Sequence, residues 1–301
     1  MFKNLFIVLL IFCASNLQAQ AKLVVLGTVQ DGGSPHIMCL KSCCTNLSSE
    51  EKAARQVTAL GLSSGTTDYY LFEASPNITL QIQHMQALGY FNLAGIFLTH
   101  AHIGHYMGLL YLGLEAWGAN KVPVYAMPRL RTFLKENGPW SQLIYLENIT
   151  LQALEDEKPH HLPQGIKVTP FVVPHRDEFS ETVGYYIAGH KKTALFLPDI
   201  DKWNKWGKNI AKVIKAVDYA FIDASFYDAA EINYRPIAEI PHPFVIETLE
   251  RLNGLEQKDR KKVFFIHMNH TNPMLDPESE AAKRVRALGF SVAQIGDTFS
   301  L

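Results

Sequence analysis

Beyond its first twenty residues the sequence has no apolar run approaching membrane length, no internal repeat, no low-complexity tract and no Gly/Ser-rich linker. The first absence argues against a membrane span, which takes about 20 apolar residues. The others leave nothing to divide residues 20–301, so one domain of about 280 residues is the simplest organisation. An excess of either charge is also missing, since 28 Lys+Arg face 29 Asp+Glu for a net −1. That balance excludes a broadly basic nucleic-acid binder and equally an acidic tail protein. Disorder is excluded as well, because 48% of residues are apolar and 11% aromatic. Cysteine is sparse, at four residues, whereas histidine reaches twelve.

The first residues form a separate unit. Met1-Phe2-Lys3-Asn4 gives a short positive start, Leu5 to Ala14 is almost continuously apolar, and Leu17-Gln18-Ala19 ends in the A-x-A manner. This is the layout of a secretory signal peptide over residues 1–19, cut before Gln20. The expectation is an exported, periplasmic or secreted product with no membrane attachment after cleavage. Removing residues 1–19 deletes Lys3 and no acid, so the net charge falls from −1 to −2.

In residues 20–301, short apolar runs alternate with amphipathic ones. Lys22–Gly27, Asp68–Ala74, Ala94–Leu98 and Val122–Ala126 read as strands in the first half, with helices over Asn77–Leu88 and Tyr106–Trp117. The second half repeats the habit. Ile166–Val173, Thr182–Ala188, Thr193–Leu197, Tyr219–Ile222, Lys262–Ile266 and Phe290–Ile295 read as strands, and Lys205–Val217, Pro243–Leu252 and Glu278–Leu288 as helices. Alternation on this scale predicts a layered α/β domain.

The histidines fall at strand ends. Thr99-His100-Ala101-His102-Ile103-Gly104-His105 directly follows the Ala94–Leu98 strand. A helix starting at His105 would keep these rings neutral through its positive end, and neutral imidazole is the form that binds metal. Other strands end in His175, in Asp199, and in His267 with His270. Strand-end loops assemble sites in such folds, so these groups are expected to converge on one pocket. A His/carboxylate set with an open position suits Zn²⁺, or second Fe, and water activation.

With these residues in view, the sequence resembles the metallo-β-lactamase fold. His100-x-His102-x-Gly104-His105 is similar to that superfamily's HxHxDH motif, and His175, Asp199 and His267 follow in its order. The likeness is strongest to the pyrroloquinoline quinone biosynthesis protein B family. It rests on Leu26-Gly27, Asp31-Gly32-Gly33-Ser34-Pro35 with Cys39, Ala74-Ser75-Pro76-Asn77-Ile78 with Gln81-Ile82, and Ile266-His267-Met268-Asn269-His270-Thr271-Asn272-Pro273. The resemblance implies an αββα sandwich of two mixed sheets flanked by helices, with a metal site at one edge. It implies a first site of His100, His102 and His175, which Asp199 bridges or completes, with His105 and His267 either holding a weaker second ion or serving as supporting and proton-handling groups. Gly104 stands where the family has an Asp ligand, which predicts one tightly held ion and a weak second.

A further likeness, to phosphodiesterase-like relatives, falls on Asp223 and on His242 just before a helix. It implies that Asp223 orients His242 and that His242 protonates the leaving group. Loss of Cys13 with the signal leaves Cys39, Cys43 and Cys44. Three readings stand: a structural metal site completed by His36, a disulfide between Cys39 and one of the adjacent pair, or, third, unpaired structural cysteines. Asp31-Gly32-Gly33 reads as a tight turn near the metal mouth. The expected function is metal-dependent hydrolysis of an ester, lactone, amide or phosphodiester bond in a small molecule. The alternatives are an iron-dependent oxygenase and a non-catalytic metal- or ligand-binding protein on the same fold.

Overall fold

The computed structural model describes residues 20–176, 178–232, 236 and 239–301. The expected signal peptide therefore lies outside the described residues. Among the described residues there are fourteen strands. In chain order they are β1 Lys22–Gly27, β2 Ala59–Ser63, β3 Asp68–Phe72, β4 Asn92–Phe97, β5 Val122–Ala126, β6 Ile149–Ala153 and β7 His160–His161. They continue as β8 Lys167–Val172, β9 Val183–Ala188, β10 Thr193–Leu197, β11 Tyr219–Asp223, β12 Val263–Ile266, β13 Ser291–Val292 and β14 Thr298–Ser300.

The strands form two 7-stranded sheets, ordered β14-β1-β2-β3-β4-β5-β6 and β13-β12-β11-β10-β9-β8-β7. Each sheet is mixed: β1 to β3 pair antiparallel and β3 to β6 parallel, while β8 to β10 pair antiparallel and β10 to β13 parallel. Two antiparallel steps restore direction, so β1, β3 and β4 run one way in the first sheet. By the same count β8, β10, β11 and β12 share a direction in the second. Their carboxyl ends therefore lie along one edge of each sheet, and that edge is where the loops can meet.

Three apolar layers hold the sandwich together. Leu23, Val25, Phe72, Phe97, Tyr185, Phe196 and Phe221 fill the space between the sheets. Val24, Leu26, Leu71 and Ile96 face the helices Ile78–Ala87 and Pro128–Glu136 on one outer side. Leu195, Leu197, Ile222 and Phe265 do the same against Ile210–Lys215, Val245–Arg251 and Glu280–Ala287. Strands covered on both faces need apolar residues at successive positions, which explains runs such as LVVL in β1. Each large side chain so buried contributes roughly 1.5–3 kcal/mol.

The αββα architecture is as expected, but local details differ. Tyr106–Trp117 is not one helix: a short helix Ile103–Tyr106 passes into a 3₁₀ segment Met107–Leu112. A Cβ on Gly108 would sit 2.1 Å from Ser75 O, so this segment packs tightly on the β3 exit. The helix expected over Lys205–Val217 shortens to Ile210–Lys215, where Asn209 caps it by accepting from Ala211 N and Lys212 N. β2 carries no strand signature in sequence because it includes Gly61, where a Cβ would meet Met85 Sδ at 2.4 Å. Among the described residues no helix is long and apolar enough to cross a membrane.

Candidate metal centre

Histidine and aspartate side chains from both sheets converge on the shared edge. His100, His102, His175 and Asp199 form one group whose ligand-type atoms all lie within 4.8 Å of one another. Asp199 Oδ2 is 3.3 Å from His100 Nε2 and 3.2 Å from His175 Nε2, and His100 Nε2 is 2.8 Å from His102 Nδ1. Asp31, His105 and His267 form an adjoining group. There Asp31 Oδ1 is 2.9 Å from His105 Nε2 and 3.6 Å from His267 Nε2. Asp199 Oδ2 reaches this group also, at 3.9 Å from His105 Nε2 and 4.0 Å from His267 Nε2.

These atoms crowd together without satisfying one another. His105 Nε2, His175 Nε2, His267 Nε2, Asp31 Oδ1 and Asp199 Oδ1 are buried and make no hydrogen bond. Their separations are short, yet none of these atoms has a partner in bonding geometry. Buried polar atoms are nearly always bonded, so such a concentration marks a place built for something else.

Behind the donors is a supporting shell. Glu73, fully buried at the exit of β3, lies 3.1 Å from His105 Nδ1 and accepts from Thr99 N through Oε2. Thr99 Oγ1 is 2.9 Å from His100 Nδ1. Ser225 Oγ donates to Asp223 Oδ1 at 2.8 Å and stands 3.1 Å from both His242 Nδ1 and His267 Nδ1. Such partners fix ring orientation in metal sites. Glu73 and His267 have φ of +82° and +67°. Non-glycine residues rarely hold that conformation, so the packing around them imposes it at the site.

The electrostatics correct one expectation. Burial does hold the His100 and His102 rings neutral, with His100 well below the usual imidazole range. His105 goes the other way: burial works against its charge, but Glu73 and Asp31 carry it well above the ordinary value. A four-residue helix contributes little beside two carboxylates at contact distance. Asp31 and Asp199 lie well below the carboxylate range, because the surrounding histidines outweigh the opposing effect of burial. A divalent cation would displace the proton that His105 holds in its absence.

Asp223 and His242 also meet. His242 Nδ1 bonds to Asp223 Oδ2 at 2.9 Å and is 3.1 Å from Asp199 Oδ1. Asp223 is itself held by Ser225 N and Ile200 N. Burial opposes charge on His242, yet Asp223 and Asp199 together raise it to about 10. A mouth cavity of about 510 Å³ opens over the centre, lined by Asp31, His36, His102, Tyr106, Arg176 and Phe179 among others.

The cysteines form a second cluster. Cys39, Cys43, Cys44 and His270 bring ligand-type atoms within 4.8 Å, and the three cysteines are free. All three sulfurs are thiols, and Cys43 Sγ donates to the adjacent Cys44 Sγ at 4.0 Å. The fourth group is His270, not His36, which instead stacks on His270 at 4.5 Å. His270 turns to the cysteines because β12 ends at Ile266 and the following loop carries it past the His/Asp centre. Burial and the neighbouring His36 and Lys41 push its ring down to about 4, leaving it neutral.

Thus His100, His102, His105, His175, Asp199, His267, Asp223 and His242 are gathered as the sequence reading expected. Asp31, Glu73, Ser225 and the placement of His270 were missed. Asp31 stood in a segment read only as a turn, and Glu73 and Ser225 carry no motif.

Comparison with known proteins follows this geometry. Residues 69–268 match the family model described as Beta-lactamase superfamily domain. Coenzyme PQQ synthesis protein B of Nitrosococcus oceani is 25% identical, with 89% of this chain and 96% of the relative covered. That of Gluconobacter oxydans is 24% identical, covering 92% and 98%. Among solved structures, Zn(2+)-bound PqqB from Methylobacterium extorquens superposes with a TM-score of 0.76 at 22% identity, covering 93% of this chain and 100% of its own. A diphosphatase from the PhnP family gives 0.67 at 21% identity, covering 94% and 97%.

Proposed function

This chain belongs to the β-lactamase superfamily, and we propose that within it the chain is a metal-dependent hydrolase of a small molecule, cleaving an ester, lactone, amide or phosphodiester bond. The observation that carries this reading is the convergence of buried, unbonded His and Asp donors beside the Asp223–His242 pair. Leaving such atoms unsatisfied costs about 1–3 kcal/mol each, and a bound cation removes that cost. The donor set fits Zn²⁺, with Fe as second choice. His100, His102, His175 and Asp199 would hold one ion, and His105, His267 and Asp31 a second, with Asp199 within reach of both. Such an ion supplies Lewis acidity and a nucleophile at neutral pH by acidifying bound water.

The chain's own residues do the rest. Asp223 fixes the His242 ring through Nδ1, which leaves Nε2 to hand a proton to a leaving group. Arg176, 3.4 Å from His102 Nε2 at the mouth, offers a guanidinium to an anionic part of the substrate. The cavity suits a small molecule, not a nucleic acid duplex or a membrane surface. Among the phosphoryl and acyl substrates, a proton donor and a guanidinium favour an anionic phosphodiester.

A second reading has its own observation. The full-length relatives are named for coenzyme PQQ synthesis. On that reading the centre holds iron and serves an oxygenase. Protein purified without added metal is expected to contain Zn and to cleave at least one of a panel of esters, lactones, β-lactams and phosphodiesters. Iron with oxygen uptake on a phenolic substrate would replace the hydrolase reading with the oxygenase. A metal-loaded protein inert on both would mean a binding role. Export belongs to the same proposal, with a mature N-terminus at Gln20 recovered outside the cytoplasm as the expected result. Recovery of an intact Met1 chain in the cytoplasm would reject it.

A further inference from the structure

Position 104 is where the chain departs from the motif it resembles, and a side chain from elsewhere occupies the space. A Cβ on residue 104 would lie 2.3 Å from Asp31 Oδ1, 2.5 Å from Asp31 Cα and 3.0 Å from Asp31 Cβ. Any residue larger than glycine would therefore collide with the loop that follows β1. We propose that Asp31 supplies from this loop the metal-binding carboxylate that the histidine motif lacks, and that Gly104 is the vacancy that admits it. The ligand is moved along the chain, and the second site is complete.

Three observations carry the assignment. Asp31 Oδ1 points at His105 Nε2 and His267 Nε2, at 2.9 Å and 3.6 Å, and is itself buried without a hydrogen bond. Without it, the second group would consist of two imidazoles and a share of Asp199 Oδ2 at 3.9–4.0 Å, fewer donors than a closed coordination shell takes. The loop is also fixed in place. Gln30 N donates to Met268 O at 2.9 Å, and Met268 N donates to Thr28 O at 2.8 Å. These bonds stitch the residue before Asp31 to the residue after His267, so the carboxylate and its histidine partner are positioned by one piece of backbone. Gly33 N closes the turn on Gln30 O at 2.8 Å. The DGG turn is thus the device that presents a ligand, and the close approach requires glycine on the motif side.

The inference rests on the metal-centre part of the proposed function and is independent of the reaction. Its test is metal binding alone: Zn²⁺ titration of metal-free protein by calorimetry, with metal counted after dialysis and folding followed by circular dichroism. Asp31→Ala is expected to hold one equivalent fewer than the unaltered chain, whatever the cysteine cluster carries. Asp31→Asn keeps the shape and should weaken that equivalent by more than about 100-fold, since even outer-shell partners are worth 10- to 100-fold. Gly104→Ala changes no donor, yet should lose the same equivalent because its Cβ displaces Asp31. Full retention of metal in Asp31→Ala, or unaltered Zn²⁺ binding in Gly104→Ala, would overturn the proposal. If Asp31→Ala does not fold, Asp31→Asn decides the matter. A protein inert on every ester that still loses an equivalent with Asp31 rejects the hydrolase and leaves this inference standing.

Discussion

The His/Asp centre and the cysteine cluster sit at the two ends of one short segment, with Asp31 at one and Cys39 to Cys44 at the other. They are built in opposite ways. The centre draws its side chains from the ends of strands in both sheets, and His100, His105, Asp199, Asp223 and His267 are at most 1% exposed. The cluster takes Cys39 from a loop, Cys43 and Cys44 from the short helix Ser42–Thr45, and one group from His270, and the residues beside it, Ile37, Met38 and Leu40, are 78%, 88% and 86% exposed. The centre opens into a cavity with His102 and Asp31 in its lining, whereas of the cluster's four donor residues only Cys43 borders one. Closed thiolate sets generally hold structure, and open His/carboxylate sets do chemistry. On the proposed function, chemistry would fall to the rigid sheet edge and a structural role to residues 39–44.

This contrast can be broken by experiment. The largest effect is expected from Asp199→Ala, because Asp199 Oδ2 is within reach of both donor groups. Zn content should fall and hydrolysis should drop by far more than the 10- to 100-fold of an outer-shell loss, while whatever the cysteine cluster binds is retained. Cys44→Ser should do the reverse. Melting should fall by about 5–10 °C, corresponding to a few kcal/mol in a chain of this size, with kcat/KM changed less than about tenfold at permissive temperature. Loss of activity without loss of stability in Cys44→Ser would erase the distinction between the two regions.

Smaller effects sharpen it. Glu73→Gln removes the carboxylate beside His105 Nδ1, and Zn²⁺ affinity at the second group should weaken about 10- to 100-fold with the cysteine cluster unaffected. The smallest effect belongs to Glu231, which accepts from Thr271 Oγ1 close to the cluster. Burial raises its carboxyl to about 7 from an ordinary 4.5. The folded chain then binds this proton more tightly than the unfolded chain. Stability therefore falls as pH rises from about 4.5 to about 7, and the full penalty is present above that. Glu231→Gln should flatten this part of the melting-temperature profile and raise stability at pH 8 by of order 1 kcal/mol. An unchanged profile would show that another group sets it.

Much of the framework was legible because it depends on local chemistry. Buried strands announce themselves as apolar runs, so β1, β5 and β10 fall on the expected residues. The strand-end histidines were legible for the same reason, since their spacing from the apolar run places them at the edge. β2 was not, because Gly61 breaks the apolar pattern for the sake of Met85, a partner from another element. The helix expected after His105 gave way to a 3₁₀ segment where Gly108 is pressed against Ser75 O. Glu73 and Ser225 could not be read as supporting residues, since nothing in their neighbourhoods in sequence names His105 or His242 as the group they serve.

The sequence by itself determined the layered α/β fold and the His100-x-His102 pair, while the order His175, Asp199, His267 and the pairing of Asp223 with His242 were implied by resemblance to known families. Periodicity and motif spacing are short-range properties, and the first two features follow from them. Tertiary structure alone decided that His270 serves the cysteines, that His36 does not, and that Asp31 fills the space beside Gly104. Each of those choices depends on which loops the sheet edges bring together, and contacts across more than 70 residues leave no trace in local pattern. An aspartate in a turn and a glycine in a motif read as two unrelated residues until the fold sets one against the other.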